Sequence, residues 1–183
     1  SFISFLAPGL IAMSIIQQGF SHSSSSIMIG KIQGNIIDTL LAPLSATEVT
    51  LAIIFASVTR SIIITIISII VFSLIVEIYI YSVFYIFIFA FLGSFILGAL
   101  GFIAGLWAEK FDHMATVTNF IITPLSFLSG VFYSVDRLPD FFKTISQINP
   151  FFYMIDGFRF GFLGVSDGII NYGLIYLTFL SVV

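Results

Sequence analysis

From Ser1 to Gly30 the sequence contains no Asp, Glu, Lys or Arg, and the same holds for Ser61 to Val76, Ile78 to Ala108, His113 to Val135 and Gly168 to Val183. Uncharged runs of this length exclude most soluble folds, because a water-exposed surface needs charge. A bilayer needs the opposite: roughly 20 apolar residues, rising about 1.5 Å each, to cross about 30 Å of hydrocarbon. Only 8% of the 183 residues are charged and 59% are hydrophobic, against about 25% charged in soluble domains. With no water to satisfy backbone amides inside lipid, the fold class is all-α, a polytopic membrane helix bundle.

The runs place spans at about 5–28, 54–76, 82–106, 115–133 and 169–183. Ser61 to Val76 alone would reach only about 24 Å. That span is therefore started at Ile54, which puts Arg60 near an interface where it can snorkel. Tyr79, Tyr81 and Tyr85, in a run longer than one crossing, suit an interfacial aromatic belt. Position 1 opens a span without a charged preceding region, unlike a signal peptide. Charge does not set orientation, since Lys31, Arg60 and Lys110 fall on one side and Arg137, Lys143 and Arg159 on the other. The net charge of -3 does not suggest nucleic acid, no Lys/Arg cluster marks an anionic-lipid site, and the absence of cysteine excludes disulfides and thiolate chemistry.

Two linkers carry structure of their own. In residues 31–44, Ile32, Ile36, Ile37, Leu40, Leu41 and Leu44 recur at helical spacing opposite Gln33 and Asp38, which reads as an amphipathic helix lying on the membrane surface and broken near Pro43. "SATE", Ser45 to Glu48, is a capping box for the helix that follows. The segment serves either as a plain connector or as a docking element for a cytoplasmic partner. In residues 139–163, "LPDFFKTISQI" starts near Pro139 and puts Phe141, Phe142, Ile145 and Ile148 on one face; Asn149 then caps a second helix with Pro150 at its first position. Two apolar helices too short to cross form a re-entrant hairpin. Its aromatic residues, Phe151, Phe152, Tyr153, Phe158, Phe160 and Phe162, face lipid or neighbouring spans, and Asp156 and Arg159, three apart, pair with each other or reach water.

Residues for chemistry are scarce. The sequence has no phosphate-binding loop, no zinc-protease motif and no nucleophile elbow, and His22 and His113 are isolated, so no metal site and no enzymatic activity are expected. No ionisable group falls near a span midpoint, which argues against a proton relay. Ala90, Ser94 and Gly98, then Gly101 and Gly105, form a small-residue ridge for close helix packing, within the subunit or between subunits. Gln17, Gln18, Ser21, His22 and Ser23 to Ser26 make one end of the first span polar, as for a pathway or a buried interface. Pro124 is expected to kink the fourth span.

"ITPLSFLSGVFYSVDRLP" followed by "INPFFYMIDGFRFGFLG" resembles the signature of ABC-2 type transporter permeases, the membrane subunits of bacterial ATP-driven exporters. Leu128, Ser129, Gly130, Leu138, Pro139, Pro150, Tyr153 and Arg159 stand at that family's spacing. "GNIIDTLLAPLSATEV" resembles the family's stretch between its second and third spans, and "AEKFDHMATVTNFIITPL" the entry to its fifth. The likeness is to small proteobacterial inner-membrane permeases of drug- or polysaccharide-exporter type. It implies that the five helices are spans two to six, without the N-terminal interface helix and first span and with the sixth cut short. It also implies that 31–44 faces a cytoplasmic ATPase, the hairpin faces the periplasm, two permease subunits (as a homodimer) join two ATPase subunits, and ATP and magnesium bind only the ATPase. Lys31, Asp38, Leu41 and Glu48 would then transmit ATPase motion, and Gly130, Pro139, Asn149, Pro150, Tyr153, Asp156 and Arg159 would shape the outer exit. The alternative is a secondary transporter or channel with no ATPase partner.

Overall fold

The structure, a computed structural model, describes residues 2–183 and every side chain among them except those of Phe2 and Leu40. Leu40, expected on the apolar face of the first linker, therefore has its side chain outside the described residues. Among the described residues there are helices and no strands. α1 runs from Phe2 to Gln33, and after a left-handed Gly34 (φ 77°) come α2 (Ile36–Leu41) and α3 (Ala46–Ile75). Residues 76–82 carry no regular secondary structure before α4 (Val83–Trp107). α5 (Phe111–Val117) continues through a π turn (Thr118–Ile122) into α6 (Thr123–Phe127). α7 (Asp140–Ile148), α8 (Pro150–Leu163) and α9 (Ile170–Val182) complete the chain.

Three helices, α1, α3 and α4, are long and apolar enough to cross a bilayer, and α9 is shorter but apolar. α1 lies along α4 in the most extensive packing of the molecule, and α8 wedges against both. Ile16, Phe20, Leu97, Ile155, Phe158 and Phe162 fill the resulting core and are essentially inaccessible. α3 is peripheral. Its most apolar stretch is only 17% buried, against 50% and 56% in α1 and α4, so most of its Ile and Phe side chains are left for lipid or another chain.

Several helix bounds differ from the sequence reading. α1 continues through the Lys31 to Gln33 segment assigned to the surface helix, because nothing before Gly34 stops it; α2 is left with 6 residues. α3 starts at Ala46, eight residues before the expected Ile54, because the Ser45 capping box is formed: the Ser45 hydroxyl accepts from the Glu48 amide while the Glu48 carboxylate accepts from the Ser45 amide. A helix of 30 residues is about 45 Å long, so Arg60 falls near its middle and not at its end. The helix expected at 115–133 occupies 111–127, since Gly130 (φ 79°) turns the chain back. The interruption attributed to Pro124 takes the form of the π turn, in which the Thr123 amide donates to the carbonyl of Thr118, five residues back.

Candidate functional site

α8 is a polar lock built from an apolar helix. It is 14 residues long, about 21 Å, too short to cross, and it begins as the sequence suggested, with Pro150 at the first position and the Asn149 side chain accepting from the Phe151 amide. Phe151, Phe152, Tyr153, Phe158 and Phe162 are buried against the surrounding helices, and only Phe160 is half-exposed, edge-on to Tyr81 and Tyr85. Asp156 and Arg159 are each 3% exposed, and they neither pair with one another nor reach water. Each instead holds a different loop. The Asp156 carboxylate accepts from the amides of Asp167 (2.9 Å) and Gly168 (3.0 Å). Arg159 Nη2 donates to the carbonyls of Gly130 (2.7 Å) and Val131 (3.3 Å), and its guanidinium carbon lies 3.9 Å from the centre of the Phe5 ring.

The lock extends through residues that are distant in sequence. The Asn149 amide donates to the Leu125 carbonyl and to Ser129 Oγ, so the cap of α8 also fastens the end of α6. Asp167, held by its own amide on Asp156, accepts from Ser134 Oγ and from the Val135 amide, each at 2.8 Å. Four elements of one end of the bundle are thereby tied together: the turn after α6, the 134–135 loop, α8 and the 167–168 loop. On the exposed rim of the same end, Asp136 accepts from Lys143, and that hydrogen bond holds the Lys143 ammonium above its ordinary range. Pro139 precedes α7, whose Phe141, Phe142 and Ile148 remain exposed.

The opposite end has a second arrangement. Lys31 Nζ donates to the carbonyls of Gly105 (2.9 Å) and Ala108 (2.9 Å), capping the C-terminus of α4 and complementing its dipole. Lys31 is thus an α1–α4 tie and not part of the loop helix. Asp38, in the first turn of α2, and Leu41, 77% exposed, belong to that helix, and Glu48 belongs to the capping box.

Between the two ends, α1 presents a polar face. Ser14, Ser21 and Ser26 are exposed, and Gln18, His22 and Ser25 are half-buried. An open groove of about 470 Å³ is lined by Ser21, Ser24 and Ser25 on one side and by Phe111, Met114, Thr118 and Asn119 of the α5–π segment on the other. Beside this face, Arg60 is exposed and shares a hydrogen bond of 3.1 Å with His22 Nδ1. The expectation that no ionisable group stands near a span midpoint is thereby overturned. A cation at such depth costs about 2.5–3.5 kcal/mol or more unless water or a partner meets it. Among the described residues no three of His, Asp or Glu lie close enough to hold a metal ion.

A family model described as ABC-2 type transporter matches residues 1–163. The chain belongs to the ABC-2 type transporter family. It is 34% identical over 167 residues, 91% of its length, to "Inner membrane transport permease YadH" of Escherichia coli K12, and it spans 65% of that relative's length. It is also 32% identical to "Nodulation protein J" of Rhizobium leguminosarum bv. trifolii over 68 residues, 37% of this chain and 26% of that protein. No solved structure matches it significantly. Membership of the ABC-2 family, the inner-membrane relative and the three long apolar helices make this a multi-pass inner-membrane protein.

Within this ABC-2 segment the small-residue ridge of α4 is used inside the subunit. A Cβ on Gly101 would lie 2.3 Å from the Phe20 carbonyl oxygen, and one on Gly105 2.9 Å from that of Ser24. Gly98 faces the hydroxyls of Ser23 and Ser57, Ser94 lies against Gly19, and Ser57 donates to the Gly19 carbonyl at 2.7 Å, bringing α3 into the same junction. The sequence reading missed three residues. Gly157 and Gly161, four apart on α8, bring it onto Phe89 and Ile86 of α4, and their spacing was visible as a signal. Asp167 carried only the weak signal of an Asp-Gly pair in a loop.

Proposed function

We propose that this chain is the membrane-spanning part of a permease subunit of an ATP-binding cassette exporter. Two such subunits, as a homodimer, form a pathway for an amphipathic, glycan or drug-like substrate, and two copies of a separate ATPase, holding ATP and magnesium, drive it. The observation that carries the reading is the polar face of α1, because exposed hydroxyls, an amide and an imidazole inside an otherwise apolar bundle suit a hydrated path and are disfavoured against lipid. Family membership adds the ATPase. The short α2, hung between Gly34 and the Ser45 capping box at the end opposite the lock, is the element placed to receive a push. Closure of the ATPase dimer would move α2 as a rigid body and, through the continuous helices α1 and α3, bias the bundle between inward- and outward-facing states. The outer lock would keep the exit loops fixed to α8 while the spans move.

The test uses the full-length protein reconstituted with its ATPase. Asp38→Ala combined with Leu41→Asp alters only exposed groups of α2, so assembly and thermal stability should be unchanged while ATP-driven export falls about tenfold, a coupling loss of about 1.4 kcal/mol. Export that survives both substitutions with normal assembly removes α2 from the coupling path. Export that proceeds without ATP or the ATPase favours the secondary-transporter alternative, for which a mid-helix arginine and an interrupted α5–α6 helix are also suitable parts.

A further inference from the structure

Arg60 is the one charge on α3 between Glu48 and the end of the helix, and no anion meets it among the described residues. No Asp or Glu occurs in α1 or α4, and on α3 Glu48 stands at the far inner end. Its hydrogen-bond partner is the neutral imidazole of His22, whose Nδ1 accepts from the guanidinium and carries no charge to balance it. The pair also lies deep. The ammonium of Lys31 against the α4 C-terminus and the exposed Trp107 mark the inner interface. His22 stands about 13 Å further along α1 from Lys31 at about 1.5 Å per residue, close to the middle of a hydrocarbon layer of about 30 Å. The bond to His22 holds the guanidinium at that level. A second copy of this segment would bring no carboxylate there, since the acidic residues of 2–183 outside the outer lock stand at helix ends and in loops.

We propose that Arg60, oriented by His22, is an anion-recognition site on the wall of the pathway, and that the transported molecule carries a phosphate or other compact anionic group. The inference rests on the permease reading above. A planar guanidinium offers several donors in a fork that fits a phosphate or carboxylate, and only some are engaged by the imidazole. Gln18, Ser21 and Ser26 flank the pair on the polar face of α1 with further donors for a polar headgroup, whereas the Ser25 hydroxyl donates to the Ser21 carbonyl. Exposed Phe55 and Ile63 of the same α3 offer apolar surface for a chain attached to that headgroup. An uncompensated cation facing a hydrated path attracts anions and repels cationic drugs, so the site also selects against one class of amphiphile.

The experiment measures equilibrium binding of radiolabelled dodecyl phosphate to the full-length protein in nanodiscs of zwitterionic lipid, without the ATPase. Wild-type protein should bind it, dodecyltrimethylammonium should not compete, Arg60→Gln should weaken binding at least tenfold, and Arg60→Lys should weaken it less than threefold. Competition by millimolar inorganic phosphate would assign the site to the anion alone. Lack of it, with binding still dependent on Arg60, would assign it to an anionic amphiphile, and both outcomes uphold the site. Should Arg60→Gln not yield monodisperse protein, His22→Glu decides: a carboxylate beside Arg60 should abolish binding, and retained binding overturns the proposal. Undiminished binding by monodisperse Arg60→Gln, or equal competition by the cationic amphiphile, also overturns it. Because no ATP is involved, failure here leaves ATP-driven export to be judged separately, and loss of ATP dependence leaves an Arg60-dependent anion site standing.

Discussion

Replacing Arg159 with leucine should destabilise the folded protein by about 2–4 kcal/mol. Two hydrogen bonds from a cation contribute about 1.5–3 kcal/mol each, and a desolvated cation–π contact adds about 2 kcal/mol. Removal of a buried cation returns part of this total, because its desolvation is relieved. The carbonyls of Gly130 and Val131, however, stay behind in a buried site without their donor, and the Phe5 ring loses its partner. Gly9, where a Cβ would lie 2.9 Å from Arg159 Nη2, shows how closely α1 is fitted to this group, so collapse into the vacated space is limited. Arg159→Lys should recover only part of the loss, as an ammonium cannot reproduce the planar stacking on Phe5. Thermal unfolding of the full-length protein in nanodiscs reads both. A leucine variant within about 0.5 kcal/mol of wild type, as for an ordinary surface substitution, would show that Arg159 does not hold the loop at Gly130 and Val131.

Gly101→Val should be at least as damaging, at about 3 kcal/mol or more. Its Cβ would meet the carbonyl oxygen of Phe20 at 2.3 Å, and a backbone atom cannot rotate aside as a side chain can. Overpacking usually costs about 1–3 kcal/mol where neighbours can shift; here α1 and α4 must separate along the longest interface of the bundle. Gly98→Ala supplies the contrast. Its Cβ would meet only side-chain atoms at 3.4–3.5 Å, and alanine gains about 0.5–1 kcal/mol over glycine in a helix, so the change should be near neutral. The measurement compares thermal midpoints and the monodisperse fraction for the two variants. Equal behaviour of Gly98→Ala and Gly101→Val would mean that α1 and α4 do not approach so closely.

The bundle and its helix caps were legible because they depend on neighbours in sequence. Ser45 with Glu48, and Asn149 with Pro150, are complete signals within a few residues, and both caps form. Two local signals compete for the start of α3: the uncharged run points to Ile54, the capping box to residue 46, and the helix follows the capping box. The extra turns move Arg60 from an interface to the helix centre, and that changes its meaning. The contacts of Asp156 and Arg159 were not legible. Their spacing of three gave a plausible pair, but buried charges take whichever partners satisfy them best, and those are backbone groups of loops up to 29 residues away in sequence. Pro124 announced an interruption without its form, because the widened turn depends on the amide of Thr123 reaching Thr118. Lys31 shows the same limit, since its three carbonyl partners lie on another helix.

The central claim is that the α2 elbow and the outer lock lie on opposite sides of the inner membrane, with α2 inside. Single cysteines at Asn35→Cys and Gln147→Cys, introduced into a cysteine-free full-length protein in spheroplasts and treated with a membrane-impermeant maleimide, test it directly. Both positions are exposed. The topology requires that Gln147→Cys is labelled in intact spheroplasts and that Asn35→Cys is labelled only after lysis. Labelling of Asn35→Cys before lysis, with Gln147→Cys protected, would contradict it and remove α2 from reach of any cytoplasmic ATPase.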